Sequence, residues 1–244
     1  MCRYCEETRI APALVARRNI LKLAGATTAA LAFGGAALAK EKKMVPKPQN
    51  VLSPDAALDR LMRGNKRYVE GLAKRHDFAN EREVLTKGQN PFAAVLGCAD
   101  SRIAAEFCFD TALGDVFVCR VAGNFANEDN VASLEFAVAV LKTPLIMVLG
   151  HDACGAVDAT IKSVKDGTTL PGHLPALVAA IKPAVEAVKD QGGDILANAI
   201  RSNVMINVEK LQKSSPILDA AVNDKSLRVV GAVYRLATGK VDLV

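Results

Sequence analysis

From Phe92 onward the chain alternates short, uninterrupted apolar runs with longer segments whose apolar residues recur at helical spacing. Runs without polar interruption mark strands buried on both faces, and strands alternating with helices predict a mostly parallel sheet covered by helices, an α/β fold. The strands are predicted at Phe92–Leu96, Asp115–Arg120, Leu145–Leu149 and Arg228–Tyr234, and the helices at Asn130–Lys142, Ala153–Lys165, Leu174–Lys189 and Asp194–Lys213. Pro183 falls inside the third helix and is expected to kink or divide it. Val233–Leu236 and Lys240–Leu243 flank Ala237-Thr238-Gly239 and predict a terminal hairpin.

Upstream, Ser53-Pro54 supplies an N-cap followed by a first-turn proline. Leu58, Leu61, Met62 and Val69 then recur at helical spacing up to Gly71, giving an N-terminal helix. A short helix is expected at Glu81–Lys87 within the polar stretch before Gly88-Gln89-Asn90-Pro91. Residues 40–52, with Pro46 and Pro48 among charges, read as an extended arm that frays or lies on a partner subunit. Residues 40–244 are thus expected to form a single catalytic domain.

The first 39 residues have a different pattern. Arg17-Arg18 precede a weakly apolar, Ala- and Gly-rich stretch from Leu23 to Leu38, which resembles a twin-arginine export signal. Ala37-Leu38-Ala39 fits a small-x-small cleavage site, so residues 1–39 are expected to be removed and the mature protein to act in the periplasm or otherwise outside the cytoplasm, after passing the twin-arginine translocation machinery. An uncleaved membrane anchor is the alternative. Cys2 and Cys5 stand in this leader and are read as incidental.

Charge and composition narrow the partners. The formal net charge is +5, of which the leader carries +3, leaving a nearly neutral body with no Trp. No basic stripe or aromatic platform remains for nucleic acid, which is excluded as a partner. Six cysteines are too few for a disulfide scaffold; Cys108 and Cys119 read as buried thiols that behave as small hydrophobes.

Two clusters carry the chemistry. Cys98-Ala99-Asp100-Ser101-Arg102 follows the first apolar run, and Gly150-His151-Asp152-Ala153-Cys154-Gly155 follows the third. Ligands collect at the carboxyl ends of parallel strands, and both clusters stand at such ends. Cys98, His151 and Cys154 supply two thiolates and an imidazole, a set that suits Zn2+ and leaves a fourth position open. Two thiolates neutralise the metal's formal charge, so a group that orients its water becomes valuable. Asp100 is placed for that task, and Arg102 two residues on can hold its carboxylate in a bidentate clamp, away from the metal. Unclamped, Asp100 could itself take the fourth position. Asp152 reads as a helix N-cap, or as an aid to proton transfer; His76 and His173 fall in loops and are the weakest of relay candidates.

Together these motifs resemble the zinc signature of beta-class carbonic anhydrases. The resemblance runs from Gly88 to Pro91, through Gly114–Asn124, Ser133–Ala137 and Gly150–Val157, and returns at Val233–Lys240. It implies one zinc per subunit and reversible hydration of carbon dioxide to bicarbonate and a proton by a zinc-bound hydroxide. It also implies that Gln89 and the Gly155 amide contact substrate, that Phe117, Ala122 and Phe136 form a small apolar pocket, and that a homodimer or tetramer completes the site. Ala99 stands where the family commonly has serine. Val95 replaces a tryptophan that one regulated branch uses to hold inhibitory bicarbonate, which argues against that form of inhibition. The same scaffold could serve a carbon disulfide or carbonyl sulfide hydrolase, or a non-catalytic zinc-binding member, although none of the five site residues is lost.

Overall fold

A computed structural model describes residues 46–244; the leader 1–39, with Cys2 and Cys5, and residues 40–45 of the arm lie outside the described residues. The elements are α1 (Pro54–Val69), α2 (Phe78–Leu85), β1 (Ala93–Gly97), α3 (Ala105–Cys108), β2 (Val116–Arg120), α4 (Glu128–Ala139), β3 (Leu145–His151), α5 (Gly155–Asp166), α6 (Leu174–Glu186), α7 (Ile195–Gln212), α8 (Leu218–Asn223), β4 (Arg228–Tyr234) and β5 (Val241–Leu243). The five strands form one sheet in the order β2-β1-β3-β4-β5. β1 to β4 pair in parallel and β5 closes the expected hairpin antiparallel to β4. Among the described residues no helix is long and apolar enough to cross a membrane.

The apolar runs become strands because both faces are buried, and side chains alternate between two cores. Ala94 and Leu96 of β1, Ile146 and Val148 of β3, and Val229 and Val233 of β4 join the core shared with α4, α6 and α7. Ala93 and Val95, Leu145, Met147 and Leu149, and Ala232 and Tyr234 join the opposite core beneath α1 and α3. Each strand is fully buried in β1 and β3, whereas β2 is a half-exposed edge. Gly150 lets α7 approach β3: a Cβ there would lie 2.6 Å from Val204 Cγ2.

Three expectations change. α6 runs unbroken through Pro183. The carbonyl that loses its bond belongs to Ala179 on the exposed side, where water can replace the donor, while Ile181, Ala184 and Val185 stay buried and hold the helix down. The described part of the arm, residues 46–52, is not loose. Its Pro48–Asn50 turn docks on its own chain, with Lys47 Nζ 2.9 Å and Asn50 Nδ2 3.0 Å from Asp115 Oδ1, and Arg60 reaching Asn50 Oδ1 at 2.7 Å. The helix expected at residues 81–87 begins earlier, at Phe78, because the Asp77 side chain caps it by accepting from Asn80 N–H. Cys108 and Cys119 are buried free thiols, as read; burial pushes the Cys108 pKa up to about 11.

Candidate metal centre and active site

β1 leads to β2 on one side and the chain returns as β3 on the other, so the strand order reverses between β1 and β3. At such a switch point the loops leave in opposite directions and open a crevice at the carboxyl edge. Gly97 pairs with Leu149, so Cys98, just past β1, and His151, the last residue of β3, stand side by side at that crevice. Cys154 follows as the residue preceding α5. Ala153, at φ 50°, turns the backbone left-handed between them and brings Cys154 back toward His151.

The ligand atoms of Cys98, His151 and Cys154 lie within 4.8 Å of one another, and all three residues are buried. The imidazole is oriented by its neighbour. His151 Nδ1 is 2.8 Å from the Asp152 carbonyl. A carbonyl only accepts, so Nδ1 carries the proton and Nε2 presents its lone pair. Nε2 is buried without a hydrogen-bond partner. A buried polar atom left unpaired costs free energy, and a metal between it and the two sulfurs removes that cost. The residues therefore fit a metal ion.

The thiols share the same preparation. Cys98 is held well below the ordinary thiol value chiefly by a hydrogen bond from Cys154, against the opposing effect of burial; His151 and the Gly123 N–H add to the lowering. Cys154 is shifted the opposite way, raised by the neighbouring Cys98 and by burial. Burial lowers the His151 pKa, but its contacts with Cys98 raise it by more. Metal binding would displace protons from this set.

Asp100 and Arg102 form the expected clamp. Arg102 Nε donates to Asp100 Oδ1 at 2.9 Å and Nη2 to Oδ2 at 2.7 Å, while the Arg102 backbone N–H donates to Oδ1 at 2.9 Å. Nη2 also reaches the Ala153 carbonyl at 3.2 Å, linking the two clusters. The Arg102 side chain, opposed by burial and helped by its own backbone amide, holds the Asp100 carboxyl far below the usual carboxylate range. Asp100 Oδ2 lies 3.8 Å from His151 Nε2.

Residues 93–241 match the family model described as carbonic anhydrase. The chain is 38% identical over 189 residues to carbonic anhydrase 2 of Mycobacterium tuberculosis, covering 77% of this chain and 91% of that protein. This chain belongs to the carbonic anhydrase family. A carbonic anhydrase of Mycolicibacterium smegmatis is likewise 38% identical, over 78% of this chain and 93% of its own length. The fold is that of the beta class: the beta-carbonic anhydrase CcaA superposes with a TM-score of 0.61 at 26% identity, covering 78% of this chain and 92% of that one. The Coccomyxa beta-carbonic anhydrase in complex with acetazolamide gives 0.59 at 28% identity, over 77% and 86%.

Not every expected site residue of this carbonic anhydrase chain is gathered at the crevice. Ala122 is there, next to Gly123, whose N–H donates to Cys98 Sγ at 3.2 Å. Gly155 opens α5, exposed, with no atom within 4 Å of where a Cβ would stand. Phe117 lies within β2, packed against the core shared with α4. Phe136 is 47% exposed on α4. Gln89 is exposed and precedes β1, at the amino edge of the sheet, whereas Cys98 is at the carboxyl edge. At roughly 3.3 Å per residue the strand separates them by about 17 Å or more, so one chain does not bring Gln89 to its own crevice. Asp152 is not the N-cap of α5: its Oδ1 accepts from Leu236 N–H at 2.9 Å and ties the end of β4 to the His151 turn. His76 stands beside Asp110 and Glu81.

Arg120 has a part that its sequence position did not disclose. From the end of β2 it donates to the carbonyls of Cys98 at 2.9 Å, Asp100 at 2.7 Å and Ile103 at 2.8 Å, fixing the turn that carries the clamp. A charged residue ending an edge strand looks like an ordinary solvent-facing group.

Proposed function

We propose that the chain catalyses reversible hydration of carbon dioxide with one zinc ion held by Cys98, His151 and Cys154. The observation that carries this reading is the buried His151 Nε2, unpaired and within 4.8 Å of two sulfurs. Bound there, zinc would supply a Lewis acid that makes water nucleophilic near neutral pH. Ionised Asp100 can only accept hydrogen bonds, so a water delivered beside it turns one proton to the carboxylate and leaves a lone pair free for the carbon of the substrate. Arg102 keeps Asp100 facing that water and off the metal. The Gly155 N–H, at the start of α5, donates to the substrate oxygen on which charge develops, favoured by the positive end of the helix dipole. Ala122 at the crevice favours a small substrate without a net dipole, and Phe117 and Phe136, which their own chain keeps away from the crevice, would join the pocket from a second copy. The water supplies one proton to solvent, and its oxygen and remaining proton leave as bicarbonate.

Gln89 enters this scheme from a second copy of the chain. It is exposed at the wrong edge of its own sheet, and β2 leaves a half-exposed edge on each copy, which supports a homodimer or larger oligomer. A solved relative from Sordaria macrospora, 25% identical to this chain with a TM-score of 0.60 over 78% of this chain and 94% of its own, is one of two beta-carbonic anhydrases described as tetrameric. Export through the twin-arginine system, with cleavage after Ala39, fits the leader's arginine pair and its apolar stretch. N-terminal sequencing of exported protein tests it; a retained Met1 or Arg17-Arg18 would refute cleavage.

The activity is tested by stopped-flow hydration of carbon dioxide with zinc-loaded mature protein, beside parallel assays with carbonyl sulfide and carbon disulfide. Rapid carbon dioxide turnover that disappears on chelation and returns with zinc is the expected result. Full zinc occupancy without hydration would overturn it, and turnover of the sulfur compounds alone would reassign the substrate.

A further inference from the structure

Cys98 Sγ accepts the Gly123 N–H at 3.2 Å, and this bond depends on a glycine at φ 86°, the most permissive of joints. The next peptide is held from α7. Asn203 Nδ2 donates to the Gly123 carbonyl at 2.8 Å. Asn203 is 1% exposed and its carbonyl oxygens are engaged in turn: Asn207 Nδ2 reaches Asn203 O at 2.7 Å and Asn203 Oδ1 at 3.2 Å. Asn207 Oδ1 accepts the Ala126 N–H at 2.7 Å, and Lys210 Nζ reaches the Ala126 carbonyl at 2.6 Å. Residues 203, 207 and 210 follow helical spacing on one face, so a polar ladder from α7 grips the loop 123–126 at both ends. Each amide orientation is fixed by the partner it must satisfy.

The neighbouring residue on the helix serves the other cluster. Val204 packs against Gly150, directly before His151. α7 thereby sets the Cys98 side of the crevice through Asn203 and the His151 side through Val204, although it contributes no ligand to either.

We infer that Asn203 is a positioning residue of the metal centre, acting through the Gly123 peptide to hold Cys98 Sγ in place for the ion, with Asn207 and Lys210 holding the rest of the loop. The inference rests on the zinc reading above. Without Asn203 the Gly123 carbonyl loses its buried donor, the peptide units either side of the glycine are free to rotate, and the N–H is drawn off the sulfur. Partners of metal ligands of this kind are worth about 10–100-fold in metal affinity.

The test is zinc affinity, by competition with a chromophoric chelator, set beside the melting temperature of the metal-free protein. Wild type, Asn203→Ala and Lys210→Met are compared. Asn203→Ala is expected to weaken zinc binding by about 10–100-fold in the folded protein, and Lys210→Met, at the exposed far end of the ladder, by a smaller factor. A merely structural role would lower the metal-free melting temperature and leave affinity in the folded fraction unchanged. Wild-type affinity in folded Asn203→Ala therefore overturns the inference. Should that variant fail to fold, wild-type affinity in Lys210→Met overturns it instead, and a weakened one supports it. Absence of zinc binding by the wild type would refute the zinc reading itself, a result distinct from either.

Discussion

The division of labour between Asp100 and Arg102 can be separated by a double-mutant cycle. Among the described residues the Asp100 side chain accepts three hydrogen bonds, all from Arg102, and two come from the guanidinium. Asp100→Asn replaces an acceptor-only group with one that also donates, and is expected to lower kcat/KM for carbon dioxide by about 10²–10⁴, the usual contribution of a positioned acid–base group. Arg102→Ala leaves the carboxylate a single backbone donor, so its loss should approach that of Asp100→Asn. Arg102→Lys should fall between, because an ammonium cannot make the two parallel bonds. If Arg102 acts only through Asp100, adding Arg102→Ala to Asp100→Asn costs almost nothing further, since the group it positions is already gone. The pH profile supplies the sign. Arg102 depresses the Asp100 pKa, so removing it returns the carboxyl toward the ordinary value, about 3.9. The acid limb that depends on Asp100 must then move to higher pH. Stopped-flow hydration across pH, with zinc content measured in each variant, reads all of this. Multiplying losses in the double variant, or an acid limb that does not move, would refute the clamp mechanism.

The docked arm predicts a stability effect away from the site. Burial raises the Asp115 carboxyl, but hydrogen bonds from Asn50, Lys47 and the Ala112 N–H outweigh it and leave the pKa below the ordinary value. A depressed carboxylate contributes stability above its unfolded value, about pH 3.9, and loses it as pH falls through the folded pKa, so the arm should release in acid. Asp115→Ala removes the anion from beside Lys47 and Arg60 and should cost about 3 kcal/mol, or roughly 6–12 °C in Tm for a domain of this size, measured by calorimetry. Gly150→Ala should cost about 1–3 kcal/mol by overpacking Val204; Gly150→Ala combined with Val204→Ala should be more stable than the sum of the two losses, and strict additivity in denaturant unfolding would contradict the close packing. Chelation should leave Cys98, the thiol held below its ordinary value, open to alkylation at pH 8, while Cys108, with its pKa pushed up to about 11, stays unmodified in the folded protein by mass spectrometry.

The parts that the sequence determined by itself are those written in local pattern. Uninterrupted apolar runs announce strands buried on both faces, and Cys98-x-Asp100-x-Arg102 with His151-x-x-Cys154 announces a thiolate–imidazole site, because ligand chemistry is carried by residue type and strand ends by the place where a run stops. The clamp was legible too, since Asp100 and Arg102 are two residues apart and need only one turn. Tertiary structure decided what depends on distant partners. A proline in α6 was tolerated because the carbonyl it orphans faces solvent. Asp115 became the anchor of the arm only when Lys47 and Asn50 were brought to the start of β2. Gln89 fell at the amino edge because strand direction, not sequence proximity, sets which end of the sheet a residue reaches. Asn203 read as one polar residue on a helix until packing placed it against the peptide that holds Cys98. A hydrogen bond between positions 80 residues apart leaves no periodicity in the sequence, because the chain between its partners is free to vary.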